Sequence, residues 1–391
     1  MAPAATQRNT DHIQTTHTGS LPRPADIVEF LRRQIRGEAT DEAAFEHLIA
    51  TAVPEIIARQ MAAGVDVVND GEVGKASYAT YIQERLSGFG PVEREKWPQD
   101  LNRERSEFPE YYGRPGTASC PASRRLLGCV GPVAVRDRKT LAREIETLKA
   151  AAAKAKPGAV FMSAASPGVV SRFHPNFYYP STKEFREAVG AAMREEYEAI
   201  AAAGFILQVD CPDLASGWNS VFADAGPSQF VAECETSIGI LNDALRNVPG
   251  EQVRLHLCWG NYEGPHIHDI PLETILPAVL KTKAQVISFE GANPRHAHEW
   301  EVWGRVKLPD DKVLMPGVID STTNFVEHPE LVAQRIGQYA GIVGRERVIA
   351  GVDCGFETFA GGARVDARIV YAKLAAMAEG ARIATGRLWR H

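Results

Sequence analysis

A histidine and two cysteines at the ends of apolar runs are the residues of this sequence best suited to chemistry. His256 and Cys258 are separated by one residue in the run QVRLHLCWGN (252–261). Residues i and i+2 of a β-strand face the same side, so the imidazole and the thiolate can bind one metal ion together. A lone His-x-Cys pair is more often ordinary packed core, and the interpretation therefore depends on what else lies nearby.

Two further candidate ligands end other apolar runs. Glu290 closes AQVISFEG (284–291), and Cys354 lies near the end of RVIAGVDCGF (347–356). One nitrogen, two sulfurs and one oxygen are ligand types that tetrahedral Zn²⁺ accepts, whereas thiolates disfavour Mg²⁺ and Ca²⁺. The sequence therefore predicts a zinc site formed by His256, Cys258, Glu290 and Cys354.

The charges of these ligands indicate the chemistry of such a site. Two thiolates cancel the charge of the ion, so it polarises water less strongly than a zinc ion held by three histidines. A substrate thiol would instead lose its proton and stay nucleophilic at neutral pH, which alkylation of sulfur requires. Glu290 could yield its position to that thiol. The alternative is a closed four-ligand zinc that only staples the fold, and added thiols would then leave the coordination unchanged.

Polar side chains also end three other apolar runs. They occur in pairs, namely His17 with Ser20, Asp70 with Glu72, and Asp210 with Asp213. Carboxylates on one rim suit a substrate ammonium group or a general acid, although each could instead cap a helix. Asp353 faces away from Cys354 by strand alternation and is interpreted as packing or as support for the ligands.

The elements that must position these residues alternate between β-rich runs and helical patterns. Eight β-rich runs are found, at 13–20, 65–71, 159–168, 205–213, 252–261, 284–291, 312–320 and 347–356. Helical patterns closed by glycine lie between them, for example at 41–64 and 182–204. No GxGxxG or GxxxxGK[ST] motif occurs. We predict an α/β fold, a single (β/α)8 TIM barrel spanning residues 1–391, with an irregular insert at about 87–138 before the third barrel strand.

Composition excludes several classes of protein. The 391 residues are 45% hydrophobic and 24% charged with a net charge of -6, which is ordinary for a globular chain and gives no basic surface for nucleic acid. No stretch approaches the roughly 20 apolar residues of a membrane span, and the first residues lack the apolar core of a signal peptide. We expect a cytoplasmic protein with reduced thiols, in which the remaining cysteines are bystanders: Cys120, Cys129, Cys211 and Cys234.

Together these motifs resemble the cobalamin-independent methionine synthases, namely their C-terminal catalytic barrel and shorter single-barrel relatives that include epoxyalkane:coenzyme M transferase. The resemblance covers nearly the whole chain. It rests on TTHTGSLPRP (15–24), NDGEVGKASY (69–78), LQVDCPDLA (207–215), HLCWGN (256–261), SFEGANPRH (288–296), PGVIDSTTN (316–324) and GVDCGF (351–356), in the family's order.

The resemblance implies a zinc ion held by His256, Cys258, Glu290 and Cys354, and an amino-acid thiol held by Ser20, Glu72 and Asp210. Our predicted substrate-binding set is Ser20, His17, Glu72 and Asp210, with Glu72 and Asp210 as the catalytic carboxylates. The predicted activity is that of a zinc-dependent, methionine-synthase-like S-methyltransferase acting on a small thiol.

Two departures from the family leave the methyl donor open. This chain reads Asp210-Cys211-Pro212-Asp213 where methionine synthases read DEPA, and it has Ser321-Thr322 where they carry a histidine associated with proton delivery to folate. The donor candidates are methyltetrahydrofolate, a corrinoid protein or another alkyl electrophile. Homo-oligomerisation is also left open.

Two other activities remain as alternatives. One is addition of a thiol to an epoxide, or its reverse, with Arg23, Arg295 or arginines of the insert binding an acid group. The other is a zinc-stapled barrel without catalysis.

Overall fold

Seven of the eight apolar runs form strands of one parallel sheet in the computed structural model, which describes residues 7–98, 102–114 and 127–389. Their side chains are almost wholly buried, because helices cover the outer face of the sheet and the strands curl around an interior. In their order across the sheet, the strands are β1 (Val67–Val68), β4 (Ala159–Ala165), β5 (Ile206–Asp210), β6 (Val253–His256), β7 (Val286–Phe289), β8 (Val313–Ile319) and β9 (Gly351–Val352).

The first predicted run, 13–20, makes isolated bridges in place of a regular strand. Thr15 pairs with Ala350 beside β9, and Thr16 pairs with Val67 of β1. The Thr15 side chain bonds to Gly64 and Asp66, and the Thr16 hydroxyl donates to the Val67 carbonyl, so side chains replace part of the ladder. This segment lies between the two edge strands, and the domain is TIM-barrel-like.

The helices begin and end where the sequence places caps. Asp41 and Ser181 accept hydrogen bonds from Ala44 N and Glu184 N at the starts of α2 (Glu42–Ala62) and α8 (Thr182–Ala202). Gly64 and Gly204, just beyond the ends of these helices, have φ values of +83° and +84°. The longer helices are α1 (Ala25–Arg36), α2 (Glu42–Ala62), α6 (Lys139–Ala155), α8 (Thr182–Ala202), α9 (Pro227–Ala244), α10 (Leu272–Val279), α11 (Pro329–Val343) and α12 (Ala367–Leu388). No helix among the described residues is long and apolar enough to cross a membrane.

Small elements fill the described part of 87–138. A two-stranded antiparallel sheet pairs β2 (Phe89–Pro91) with β3 (Leu127–Cys129), and the other short helices nearby are α3 (Ile82–Arg85), α4 (Arg103–Glu107), α5 (Pro109–Tyr112) and α7 (Pro167–Phe173). Cys120, predicted to be a bystander, lies outside the described residues.

Candidate active site

Three of the four predicted metal ligands meet at the carboxyl end of the sheet. His256 ends β6, Cys258 follows it, and Cys354 follows β9. One ligand atom from each lies within 4.8 Å of the other two, and all three residues are buried. The His256 Nδ1 bonds to Ser288 Oγ at 3.0 Å, whereas its buried Nε2 has no hydrogen-bond partner. A buried nitrogen without a partner beside two thiols is a donor set that fits a thiophilic metal ion.

The surroundings set the protonation of this group. Burial and the charge of Arg254 lower the pKa of His256 to about 3, so its ring is neutral, which is the form that binds metal. The hydrogen bond between the thiols lowers the pKa of Cys258 and raises the pKa of Cys354 well above its usual range. Cys258 is therefore the more acidic thiol.

Glu290 follows β7 but is not one of the three clustered ligands. Its Oε1 accepts Trp259 N at 2.8 Å, and its Oε2 accepts Asn293 Nδ2 at 2.7 Å. Burial raises the pKa of Glu290 to about 8, and the charge of His296 acts against that rise. The carboxyl group lies beside the cluster, held by its own loop and by the residue that follows Cys258.

Asp353 holds the loop that carries Glu290. Its carboxylate accepts the backbone N–H groups of Gly291, Ala292 and Asn293, each at 2.8 Å. These bonds join the end of β9 to the turn after β7, in agreement with the supporting role expected from strand alternation.

One cavity connects the cluster with the predicted substrate-binding residues. Ser20, Glu72 and Asp210 line it together with His256, Cys258 and Cys354. Glu72 has a positive φ of 54°, its Oε1 accepts Ser163 Oγ at 2.5 Å, and its buried Oε2 has no partner. The free carboxylate oxygen is available to a bound ligand.

Asp210 is the second carboxyl group of the cavity. Its Oδ1 accepts Gln208 Nε2 at 2.7 Å, and Gln208 Oε1 in turn accepts Arg254 Nε at 2.8 Å. Burial and the charge of Glu72 raise the pKa of Asp210 well above its usual range. Burial and the neighbouring Glu72 carboxylate therefore favour the protonated form of Asp210, and a cation bound beside it would favour the ionised form.

The structure does not bring every rim residue to the cavity. His17, predicted to bind substrate, is not among the lining residues: its Nε2 bonds to Gln60 at 2.7 Å and its Nδ1 accepts Gly19 N at 3.2 Å. Asp70 accepts Glu72 N, and Asp213 accepts Ser166 Oγ. The hydrogen bonds of His17, Asp70 and Asp213 therefore support the loops at the strand ends. Of the predicted bystanders, Cys129, Cys211 and Cys234 are buried and stand outside the ligand cluster.

Some residues of the site were not singled out from the sequence. Arg172 and Phe173 of the stretch 171–181, and Asn102 and Arg105 of the insert, line the cavity. The sequence distinguishes these two segments only by their aromatic residues and arginines, as in SRFHPNFYYPS (171–181) and FPEYYGRPG (108–116). Nothing in their spacing indicated which side chain would enter the cavity.

A second feature missed from the sequence is a buried chain of ionisable groups between the loops after β6 and β7. Asp269 Oδ2 bonds to His266 Nδ1 at 2.8 Å and to His296 Nε2 at 3.0 Å, and His296 Nδ1 bonds to Glu299 at 2.9 Å. The His296 ring stacks on Trp259, with ring centroids 4.0 Å apart. This network supports the loop that begins with Cys258.

Comparisons with known proteins agree on one family. The family model described as the catalytic domain of cobalamin-independent synthase matches residues 13–113 and 178–382. The methionine synthase of Saccharolobus solfataricus is 25% identical over 387 residues, covering 97% of this chain and 96% of that protein. The methionine synthase of Sulfurisphaera tokodaii is 24% identical over 380 residues, covering 95% of this chain and 92% of that protein.

Solved structures agree in fold. A B12-independent methionine synthase from Shewanella sp. W3-18-1, in complex with selenomethionine, superposes with a TM-score of 0.72 at 19% identity and covers 96% of this chain and 99% of its own. A protein described as a putative B12-independent methionine synthase from Listeria monocytogenes gives a TM-score of 0.64 at 16% identity, covering 98% of this chain and 100% of its own.

Proposed function

The chain belongs to the cobalamin-independent methionine synthase family, and from that premise we propose that it is a zinc-dependent S-methyltransferase that alkylates the sulfur of a small thiol. The observation that carries the proposal is the buried, unpartnered Nε2 of His256 beside the thiols of Cys258 and Cys354. A histidine kept neutral by burial and two thiols fit a zinc ion better than a hard cation.

His256, Cys258 and Cys354 would hold the ion, and Glu290 is the proposed fourth ligand. Bound zinc would supply Lewis acidity toward a thiol sulfur, which favours the nucleophilic thiolate at neutral pH. Glu290 is tied to Trp259 N and Asn293 Nδ2, so its carboxylate has partners that can hold it when it is not a ligand. That arrangement suits a position that is given up to an incoming thiol.

Ser20, Glu72 and Asp210 are the proposed contacts for the rest of the acceptor. The unpartnered Oε2 of Glu72 and the Asp210 carboxyl group lie in one cavity, where a substrate ammonium group would pair with Glu72 and favour ionisation of Asp210. Gln208 orients the Asp210 carboxyl group through its 2.7 Å hydrogen bond. These residues position the acceptor, and burial keeps water away from the reacting sulfur.

X-ray absorption at the zinc edge of the full-length protein tests the proposal. Addition of homocysteine or coenzyme M should raise the number of sulfur ligands by one, because the thiol replaces an oxygen ligand. An unchanged sulfur count with both thiols would contradict the proposal and favour the stapling alternative. Turnover with methyltetrahydrofolate, a methylated corrinoid protein and an epoxide then distinguishes methyl transfer from thiol addition.

The proposed catalytic unit is a single (β/α)8 barrel domain that includes the whole chain, with the segment 87–138 as an insert that contributes to the cavity. Its support is the placement of Asn102 and Arg105 in the cavity lining and the bridges of Thr15 and Thr16 to both sheet edges. Separate expression of residues 127–391 tests this unit: it should fail to fold, because it lacks β1 and the bridging segment.

A further inference from the structure

One arginine of the cavity wall forms no ion pair with any acidic residue that the structure describes. Arg172 lies in the last turn of α7, is half-buried and lines the cavity with Ser216 and Ser220. Its Nη1 donates to Ser216 Oγ, and its Nη2 donates to Ser220 Oγ at 3.0 Å. Both partners are neutral hydroxyl groups, which fix the guanidinium without neutralising it.

Two other shielded arginines among the described residues have acidic partners, whereas the buried Arg254 is held by neutral groups of the protein interior. Arg85 forms ion pairs with Glu144 and Glu196, and Arg186 forms one with Glu233. Among the described residues no carboxylate lies within ion-pair distance of Arg172. The nearby Asp213 accepts Ser166 Oγ at 3.0 Å and forms no ion pair with Arg172. Burial raises the pKa of Asp213, and the charge of Arg172 acts to lower it. A charge that is shielded from water and has no carboxylate in direct contact is costly, and a bound anionic ligand would reduce that cost.

The geometry of the group indicates the class of ligand. A guanidinium carries about five N–H donors, and the two hydroxyl contacts leave donors free for a planar or tetrahedral oxyanion. Because the same cavity contains Glu72 and Asp210, it offers acidic groups at the strand ends and a cation on α7. A ligand or ligand pair that carries both an ammonium group and an acid would match this distribution of charge.

We propose that Arg172, held by Ser216 and Ser220, binds an anionic oxyacid group, a carboxylate or a sulfonate, of a substrate in this cavity. The inference rests on the proposed function, since it names a specificity residue of the same site. The acid belongs either to the thiol acceptor or to the methyl donor, and the two sources are separated by experiment.

Calorimetric titration of the full-length, zinc-supplemented protein tests the site with matched pairs of ligands. In the acceptor arm, homocysteine is compared with homocysteine amide, and coenzyme M with 2-mercaptoethanol. In the donor arm, 5-methyltetrahydrofolate is compared with its diamide. We expect the acid to bind more tightly than its neutral partner in at least one arm, and that arm identifies the source.

Arg172→Gln should abolish this preference, with the acid losing about 10- to 100-fold in affinity and the neutral partner changing little. Arg172→Lys should retain part of the preference, because the charge remains while the planar fork is lost. Arg305→Gln is the control, since Arg305 is exposed and paired with Glu273 outside the cavity.

A preference that persists in Arg172→Gln, or the lack of any preference in both arms, would overturn the inference. Neither result bears on the sulfur count at the zinc edge, so failure of the anion site is distinct from failure of the proposed function. If Arg172→Gln loses its native circular dichroism, Ser220→Ala is the variant that tests the proposal. It keeps the guanidinium but removes one hydroxyl that positions it, and the affinity ratio of the acid to its neutral partner should fall by about 2- to 10-fold. An unchanged preference in Ser220→Ala would then contradict the proposal.

Discussion

The backbone at Gly19 is tied to the position of the Glu72 carboxylate. Gly19 has a φ of +134°, and a Cβ atom at this position would lie 2.2 Å from Glu72 Oε1. The Glu72 carboxylate in turn bonds to Ser163 and lines the cavity beside the cysteines. A side chain at position 19 would therefore displace a group that we expect to contact the substrate.

Gly19→Ala should lower kcat/KM for the thiol by about 100-fold, the scale expected when a positioned group moves by about an ångström. The measurement is steady-state turnover over a range of thiol concentrations. Gly37→Ala is a matched control, because Gly37 also has a positive φ, of +74°, but nothing lies within 4 Å of an added Cβ. It should cost about 1 kcal/mol of stability and leave kcat/KM unchanged. Equal losses in both variants would show that backbone strain alone is responsible.

Residues at strand ends were predictable from the sequence, and residues on the loops were not. Ser20, Glu72 and Asp210 follow apolar runs, and a barrel brings such positions to one rim. His17 also lies in such a run, but its Nε2 is hydrogen-bonded to the buried Gln60 of α2. A hydrogen bond to a side chain on a distant helix leaves no periodic signal, and the same holds for the contact of Arg172 with Ser220.

At the scale of elements, Asp269 joins the loops after β6 and β7. Burial opposes charge on both histidines, yet their hydrogen bonds to Asp269 raise the pKa of His266 to about 9 and that of His296 to about 10. Both values exceed the roughly 6.5 of an unfolded histidine, so this network stabilises the fold fully below about pH 6.5 and loses its effect as pH rises through 9 to 10.

Asp269→Asn should reduce the free energy of unfolding by about 2 to 3 kcal/mol at pH 7, because the partner that favours both charged rings is lost. The difference in the free energy of unfolding between the wild type and the variant should become smaller as pH approaches 10. Urea unfolding at pH 7 and pH 9.5 measures this difference. Asp224→Asn, at an exposed position, is the control and should change little. A difference that widened with pH would contradict this assignment of charges.

One buried acid links the insert to the barrel. Glu104 of α4 is 0% exposed, and its carboxylate accepts Tyr112 Oη at 2.6 Å, Tyr262 Oη at 3.1 Å and Ile267 N at 2.8 Å. Tyr262 and Ile267 belong to the loop that follows Cys258. The contact therefore ties the insert to the loop beside the proposed metal site.

Glu104→Ala should loosen both segments, because it leaves buried donors without an acceptor at a cost of about 1 to 3 kcal/mol. Amide hydrogen exchange within 102–113 and 260–269 should accelerate roughly 10- to 100-fold while the sheet strands remain protected. Glu107→Ala tests specificity, since Glu107 lies on the same helix, is exposed and bonds only to His268 among the described residues. Comparable acceleration in Glu107→Ala would mean that the helix, not the buried acid, holds the insert.

At the scale of the whole molecule, the alternation of elements predicted most of the fold. Seven of the predicted apolar runs form strands of one sheet, because parallel strands covered on both faces are nearly continuous runs of Val, Ile and Leu. The role of Thr15 and Thr16 was not predictable in detail, because their single bridges join Ala350 and Val67, which are far apart in sequence. The pairing of this segment with both edge strands depends on contacts between residues far apart in sequence, and local periodicity does not predict such contacts.

The position of the three clustered ligands bears on whether a metal ion would hold the fold together. His256, Cys258 and Cys354 lie at one end of a sheet whose interior and outer face are filled by buried apolar residues. A core of this extent is expected to fold without help from a metal, unlike small domains that unfold when their zinc is removed. We therefore expect a protein from which zinc has been chelated to keep its native circular dichroism and to melt at a lower Tm.

Cys354→Ser makes the same distinction without a chelator. The variant should fold but lose transferase activity. Its zinc affinity should fall by more than about 10- to 100-fold, which is the loss expected when only a residue that supports a metal ligand is removed. Cys234→Ser is matched to it, because Cys234 is also a buried cysteine but bonds to the Leu214 carbonyl outside the cluster. That variant should keep its zinc and its turnover. Global unfolding of Cys354→Ser with retained folding of Cys234→Ser would instead identify the metal as a structural staple, since the fold would then depend on a ligand set and not on the core.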